Sequence, residues 1–312
     1  MRSYRFGPDH PADTYVPHAY DEHTYDTGEV RLNYAVTGPE DAPPLLLVPG
    51  QTESWWGYEQ ALPLLAERFR AYAVDLRGQG RSSRTPGRYT LDNMGNDLVR
   101  FLTAVVGRPA VVSGLSSGGV LSAWLSAYAP PGLVRGAHYE DPPLFAAEAN
   151  TSCGTGIRQG IGPLFDLYAT YLGDQWSVGD WDGMRAAAPG RVPAFIAQRL
   201  PETPPQNMKE YDPEWGRAFW TGTVAASCDH ARMLAAVKVP VLFTHHFRHV
   251  DESGALLGAI SDLQVARVRE LVTGAGQPFA YHSFPKSGHC LHGENPELFT
   301  ETLTEWAATL PG

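Results

Sequence analysis

Cysteine is scarce in this chain: Cys153, Cys228 and Cys290 are the only three in 312 residues. An odd, sparse set argues against a disulfide framework. Free thiols in a reducing compartment, hence a cytoplasmic protein, are the expectation. Long apolar runs are also missing. Met1 to Glu29 is rich in His, Asp, Tyr and Pro and lacks the apolar core of a signal peptide, and no later stretch is long enough to cross a bilayer. No segment recurs at a period of about 20–50 residues, which excludes a solenoid. Positive charge is in deficit, with 24 Lys and Arg against 34 Asp and Glu and a formal net charge of −10. Such a surface disfavours nucleic acid and anionic membranes as partners. What remains is an ordinary globular composition, 43% hydrophobic and 19% charged, sized for one large α/β domain with an insertion.

Strand-like and helix-like patterns alternate over most of the chain. Val30 to Val36 alternates apolar and polar residues as an edge strand does, and Leu45 to Val48 is continuous enough for a strand buried on both faces. A helix is expected over Trp55 to Phe69, strands over Ala71 to Val74 and Ala110 to Val112, and another ending near Glu140. Between Pro142 and Val237 no strand-like run occurs, and Trp, Tyr, Pro and Gly are frequent, as in a largely helical insertion. Val239 to Thr244, Ser261 to Val272 and Phe279 to Phe284 then resume strand, helix and strand. A last helix begins at Asn295 as N-cap with Pro296 in its first turn. The pattern predicts an α/β fold with a mostly parallel sheet covered on both sides. Its parts are an arm over 1–28, a core domain over 29–141 and 238–312, and a helical cap over 142–237.

Gly114-Leu115-Ser116-Ser117-Gly118 lies between the Ala110–Val112 strand and a helix with Val120, Leu121, Trp124 and Leu125 at helical spacing. Strand, G-x-S-x-G and helix together form a nucleophile elbow, in which small residues permit a sharp turn that exposes the serine hydroxyl. Serine is a weak nucleophile without a base, and His289, in the loop after the last strand, fits that role. The orienting carboxylate has three candidates. Glu140 is preferred, at the end of the strand after the nucleophile helix. Asp141 precedes two prolines and reads as a turn residue, and Asp251 comes late in its loop behind bulky and cationic groups. The oxyanion would be met by the backbone N–H groups of Ser117 and Gln51, with Gly50 leaving room for a substrate carbonyl.

Other signals are weaker. His245, His246, His249 and the His289-x-x-His292 pair contain metal-ligand types. His245 and His246 are adjacent, however, and would point to opposite faces of a strand, and no Cys pair or H-E-x-x-H accompanies them. No metal and no cofactor are expected. The glycines of Asp75-Leu76-Arg77-Gly78-Gln79-Gly80 are offset from a dinucleotide fingerprint.

These motifs, in this order, resemble the α/β-hydrolase superfamily along nearly the whole chain, with Pro49 in place of the histidine of the usual oxyanion loop. Longer strings are similar to bacterial zearalenone hydrolases: Gln51 to Trp56, Ser116 to Gly119, Glu140-Asp141, Gly173 to Trp176, Tyr211 to Phe219 and Thr244 to His246. The resemblance implies a lactonase that opens a macrocyclic aromatic ester through an acyl-enzyme on Ser116. It also favours Glu140, 24 positions after Ser116, as the triad acid. Cap aromatics would meet the ligand, above all Trp215 and Trp220. A generic carboxylesterase and a C–C bond hydrolase are the enzymatic alternatives. A ligand receptor retaining the scaffold is the alternative of another class. Epoxide hydrolase and dehalogenase chemistry is disfavoured, since those relatives carry aspartate at the elbow. The arm and the aromatic cap are surfaces a homodimer would use.

Overall fold

The computed structural model describes residues 15–146, 157–173, 179–250, 252 and 256–311. Ten strands are formed: β1 (Glu22–Asp26), β2 (Arg31–Thr37), β3 (Pro44–Val48), β4 (Arg70–Val74), β5 (Ala110–Leu115), β6 (Val134–Glu140), β7 (Val241–His245), β8 (Arg248–Val250), β9 (Leu256–Gly258) and β10 (Phe279–Ser283). Eight of them make one sheet in the order β1-β2-β4-β3-β5-β6-β7-β10. β1 with β2 and β2 with β4 are antiparallel, and every other pairing is parallel. Alternation along each strand divides the core. Leu46 and Val48 join the helices Leu91–Phe101 and Ser117–Tyr128 on one face. Leu45 and Leu47 join Leu62–Leu65 and Pro296–Ala307 on the other. The chain leaves β3 toward β4 on one side and returns through β5 on the other. A crevice therefore opens at the carboxyl ends of β3 and β5, where open α/β sheets bind ligands.

Between β6 and β7 the described residues form helices, the longest being Ile157–Tyr171 and Pro213–Thr221. These two meet through Phe165 and Phe219, whose ring centroids lie 5.0 Å apart. Buried polar contacts pin this helical segment to the core loops. Asp212 donates its N–H to Gly78 and accepts the hydroxyl of Tyr89 at 2.5 Å. Glu210 accepts from Ser54 Oγ at 2.6 Å and Trp56 Nε1 at 2.9 Å.

Three expectations are corrected. β2 is not an edge, because residues 22–26 of the expected arm pair with it as β1. β1 is held by backbone pairing, by Glu22 accepting from Asn33 Nδ2 at 2.8 Å and Trp55 Nε1 at 2.7 Å, and by Tyr25 edge-on to Phe101. Its anchors are polar and aromatic and leave no apolar alternation in the sequence. The expected helix over Trp55 to Phe69 is instead a 3-10 turn at Trp55–Tyr58 and one short helix at Leu62–Leu65. Its start is taken by a tertiary bond from Trp55 N–H to Asp75 Oδ1 at 2.7 Å, and Pro63 is tolerated only in a first helical turn. Finally, where a loop is expected after Thr244, His245 still ends β7 and His249 lies in β8, which pairs antiparallel with β9 as a hairpin.

Candidate active site

Ser116 sits between β5 and its helix with φ 55° and ψ −118°, a strained conformation for a residue with a Cβ. The surrounding glycines make the turn sterically feasible. A Cβ on Gly114 would lie 2.2 Å from the Gly118 carbonyl oxygen, and one on Gly118 would lie 2.2 Å from that of Val48. Backbone here packs on backbone, with no side chain free to yield. Gly114→Ala is therefore expected to cost at least about 4 kcal/mol, in the extreme tail of single substitutions. Chemical denaturation would show it, and a midpoint near wild type would refute the close packing.

His289 follows β10 and turns its Nδ1 to Asp141 Oδ2 at 2.7 Å. Glu140, the carboxylate preferred from sequence, is engaged elsewhere. Its Oε1 accepts the N–H groups of Leu291 at 2.9 Å and His292 at 3.2 Å, and its Oε2 meets His292 Nδ1 at 2.9 Å. Strand periodicity explains the difference. Glu140 is the last residue of β6 and shares a face with His138, two residues earlier, so it points toward the C-terminal helix. The rings of His138 and His292 both lie against Phe299 on that side. Asp141 is past the strand at φ 43°, which swings its carboxylate toward the cavity. The prolines after it had suggested only a turn. The missed signal was position: the first acid beyond a strand's carboxyl end faces the crevice. Asp251 lies outside the described residues.

The electrostatics follow these pairings. Burial works against a charged His289 ring, yet the hydrogen bond and negative charge of Asp141 outweigh it and raise its pKa. Burial would also push the Glu140 carboxyl up, but the adjacent His292 charge and hydrogen bond hold it down to about 2. His292 is correspondingly raised: Glu140, then Tyr58 and Glu53, overcome its desolvation. Two carboxylate–histidine pairs thus lie side by side, and of the two only Asp141–His289 opens on the cavity.

That cavity, about 350 Å³, is lined by Ser116, Ser117, Gln51, Asp141 and His289 on its polar floor. Its walls are apolar, from Ile161, Leu164 and Phe165 of the helical segment, Phe219, and Leu256 and Leu257 of the hairpin. Gln51 is held by its side chain, which donates to Tyr211 Oη at 2.6 Å. Ser117 opens the helix, where a first-turn N–H has no partner within the helix itself. Gly50 lines no wall. It packs beneath, where a Cβ would stand 3.4 Å from that of Ser116, and its N–H is held by Glu53 at 2.9 Å.

Trp215 is 1% exposed and faces a small annex that shares Gln51, Ser117, Pro143 and Phe219 with the main cavity. Its ring is stacked on Tyr89, so most of it is core. Trp220, also expected at the ligand, lines neither space. Helical geometry separates them: five residues apart, Trp215 and Trp220 cannot share one face. The hairpin walls had no counterpart in the sequence reading, because β8 and β9 are too short to leave a periodic signal.

The histidines at the end of β7 are built into hydrogen bonds. His245 donates Nε2–H to the Ile260 carbonyl at 2.9 Å, and His246 donates Nδ1–H to that of His289 at 2.9 Å. The backbone N–H of His246 also reaches Asp141 Oδ1 at 3.1 Å, so this residue braces both members of the pair. One group of metal-ligand type does occur among the described residues, formed by Glu53, Cys290 and His292.

The sheet, the elbow and the histidine loop define an α/β hydrolase. The Alpha/beta hydrolase family profile matches residues 45–302, and the chain belongs to that family. It is 34% identical over 146 residues to bifunctional epoxide hydrolase 2 of Sus scrofa, a match covering 46% of this chain and 25% of that one. Against 3-oxoadipate enol-lactonase 2 of Acinetobacter baylyi it is 32% identical over 104 residues, 33% of this chain and 38% of the relative. The matches thus span well under half the length of these relatives. Among solved structures, a hydrolase from Pseudomonas aeruginosa superposes with a TM-score of 0.65 at 20% identity, over 93% of this chain and all of that one. Among the described residues no helix is long and apolar enough to cross a membrane.

Proposed function

We propose that this hydrolase is a serine carboxylic-ester hydrolase that opens a macrocyclic aromatic lactone, with zearalenone as the substrate. The observation that carries the reading is the convergence of strained Ser116 and the Asp141–His289 pair on one largely apolar cavity. In the reaction His289 Nε2 takes the hydroxyl proton as Ser116 Oγ attacks the ester carbonyl. Asp141 holds the Nδ1–H tautomer and stabilises the imidazolium. The N–H groups of Gln51 and Ser117 receive the oxyanion. His289 then returns the proton to the leaving alkoxide, and the macrocycle opens into an acyl-enzyme with its own alcohol still tethered. Water deprotonated by His289 cleaves that ester and releases the hydroxy acid, which can lose carbon dioxide without further enzymatic help.

A serine nucleophile favours acyl transfer over epoxide opening on chemical grounds. Attack on an epoxide would leave an alkyl ether on Ser116, which an imidazole-activated water cannot hydrolyse, whereas an acyl ester turns over. The similarity to an enol-lactonase agrees with ester chemistry. Substrate class rests on the walls. A flat phenolic ring fused to a flexible apolar macrocycle needs an apolar chamber with few polar fixtures, and about 350 Å³ is within the range of small-molecule sites.

Incubating the purified protein with zearalenone and following the mixture by mass spectrometry tests the proposal. The expected product is heavier by one water, followed by its decarboxylated descendant. Turnover of simple esters with zearalenone left intact would return the protein to the generic carboxylesterases. Binding without turnover of any ester would favour a receptor. Leu257→Trp, which fills one wall, should lower kcat/KM for zearalenone by about ten- to a hundredfold and spare a small acetate ester. Equal losses on both substrates would place the macrocycle elsewhere.

A further inference from the structure

We propose that Glu53, Cys290 and His292 form a binding site for one thiophilic divalent cation, zinc in the first instance, which clips the loop after β3 to the loop that carries His289. The three donor atoms already face one another. His292 Nε2 lies 3.1 Å from Glu53 Oε1 and 3.4 Å from Cys290 Sγ, and Cys290 Sγ lies 3.7 Å from Glu53 Oε1. Tetrahedral zinc, with bonds of about 2.3 Å to sulfur and about 2.0–2.1 Å to nitrogen and oxygen, sets ligand separations of roughly 3.4–3.6 Å. Side-chain shifts of a few tenths of an ångström would admit the ion.

Two further features distinguish this triangle from an accidental contact. Glu140 Oε2 holds His292 Nδ1 at 2.9 Å, the outer-shell carboxylate that fixes the tautomer and orientation of a ligating imidazole. Tyr58 stacks on the same ring at 3.8 Å between centroids, fixing its plane. Glu53 and Cys290 are half-buried while His292 is fully enclosed, so the ion enters from the surface against a rigid ligand. Thiolate, imidazole and carboxylate together suit zinc better than calcium or magnesium.

Charge is conserved on binding. The ion displaces the Cys290 thiol proton and the proton on His292 Nε2, both released to solvent, so two positive charges replace two. His292 Nδ1–H stays on Glu140. Glu53 Oε2 is not needed as a ligand and keeps the Gly50 N–H at 2.9 Å, which ties the ion to the loop beneath Ser116. Water completes the tetrahedron of three protein ligands, and none of the three lines the substrate cavity, so the site is independent of the proposed substrate.

The test is cobalt titration of the chelator-stripped 312-residue chain. One equivalent of Co²⁺ should produce thiolate-to-cobalt charge-transfer absorption, and Zn²⁺ should displace it. Cys290→Ser should abolish the band and weaken zinc by more than the ~10–100-fold that loss of an outer-shell partner costs. Glu140→Gln should keep the band and weaken zinc within that range. Cys153→Ser and Cys228→Ser should match wild type, and circular dichroism establishes that each variant is folded. A folded wild type that shows no thiolate band, or a band that survives Cys290→Ser, would overturn the site and leave a hydrogen-bonded cluster only.

Discussion

Ser116→Ala and His289→Ala are each expected to lower kcat on any ester substrate by roughly four to six orders of magnitude, with the melting temperature little changed. Nucleophile and base act as a unit, so removing either forfeits nearly all of the acyl-transfer pathway. The double variant should be scarcely worse than either single, because the second loss finds nothing left to remove. The elbow strain also predicts the sign of any stability change. Ser116 holds φ 55° whatever its side chain, and alanine tolerates that angle no better than serine, so relief of strain is not expected. Ester kinetics with active-site titration of residual wild type settle the matter. A Ser116→Ala enzyme within tenfold of wild type would remove the acyl-enzyme from the mechanism altogether.

The second large effect separates two neighbouring carboxylates by what each one breaks. Asp141→Asn should lower kcat by about 10³–10⁴, because an amide can neither stabilise the imidazolium nor select the tautomer whose Nε2 accepts the serine proton. Its fold should survive, since the amide oxygen can still accept the His246 N–H that Asp141 Oδ1 holds at 3.1 Å. Glu140→Gln should act the other way round. Glu140 and His292 are both fully buried, and removing one partner of such a pair costs about 3–5 kcal/mol by stranding the other charge. Thermal melting should therefore fall sharply, while the molecules that remain folded at low temperature keep kcat within about tenfold, the range of a residue acting through others. If Glu140→Gln instead abolished turnover at unchanged stability, the orienting role would return to Glu140 and the pairing at His289 would be misassigned.

What the sequence determined by itself was whatever depends on neighbours in the chain. The elbow is local, since glycine spacing around Ser116 between a buried strand and an apolar helix leaves few other backbones. The Asn295 cap, with Pro296 after it, starts the last helix by the same local logic, its side chain accepting from Leu298 N–H at 3.1 Å. The sheet followed from alternation of strand and helix, and the helices described between β6 and β7 from the lack of any strand-like run there.

The tertiary structure alone decided which acid reaches His289. Glu140 and Asp141 are adjacent and chemically near-equivalent. One residue of register at the end of β6 sends the first under the sheet to His292 and the second into the crevice. Chain order holds no record of that choice, because the competing partners arrive from residues 148 to 152 positions away. The same limit explains the walls of the cavity. Trp215 was prominent by size yet spends its area on Tyr89, while Leu256 and Leu257 reach the cavity from a hairpin too short to announce itself. Apolar side chains look alike in sequence whether they fill a core or face a ligand, and only the packing around them distinguishes the two.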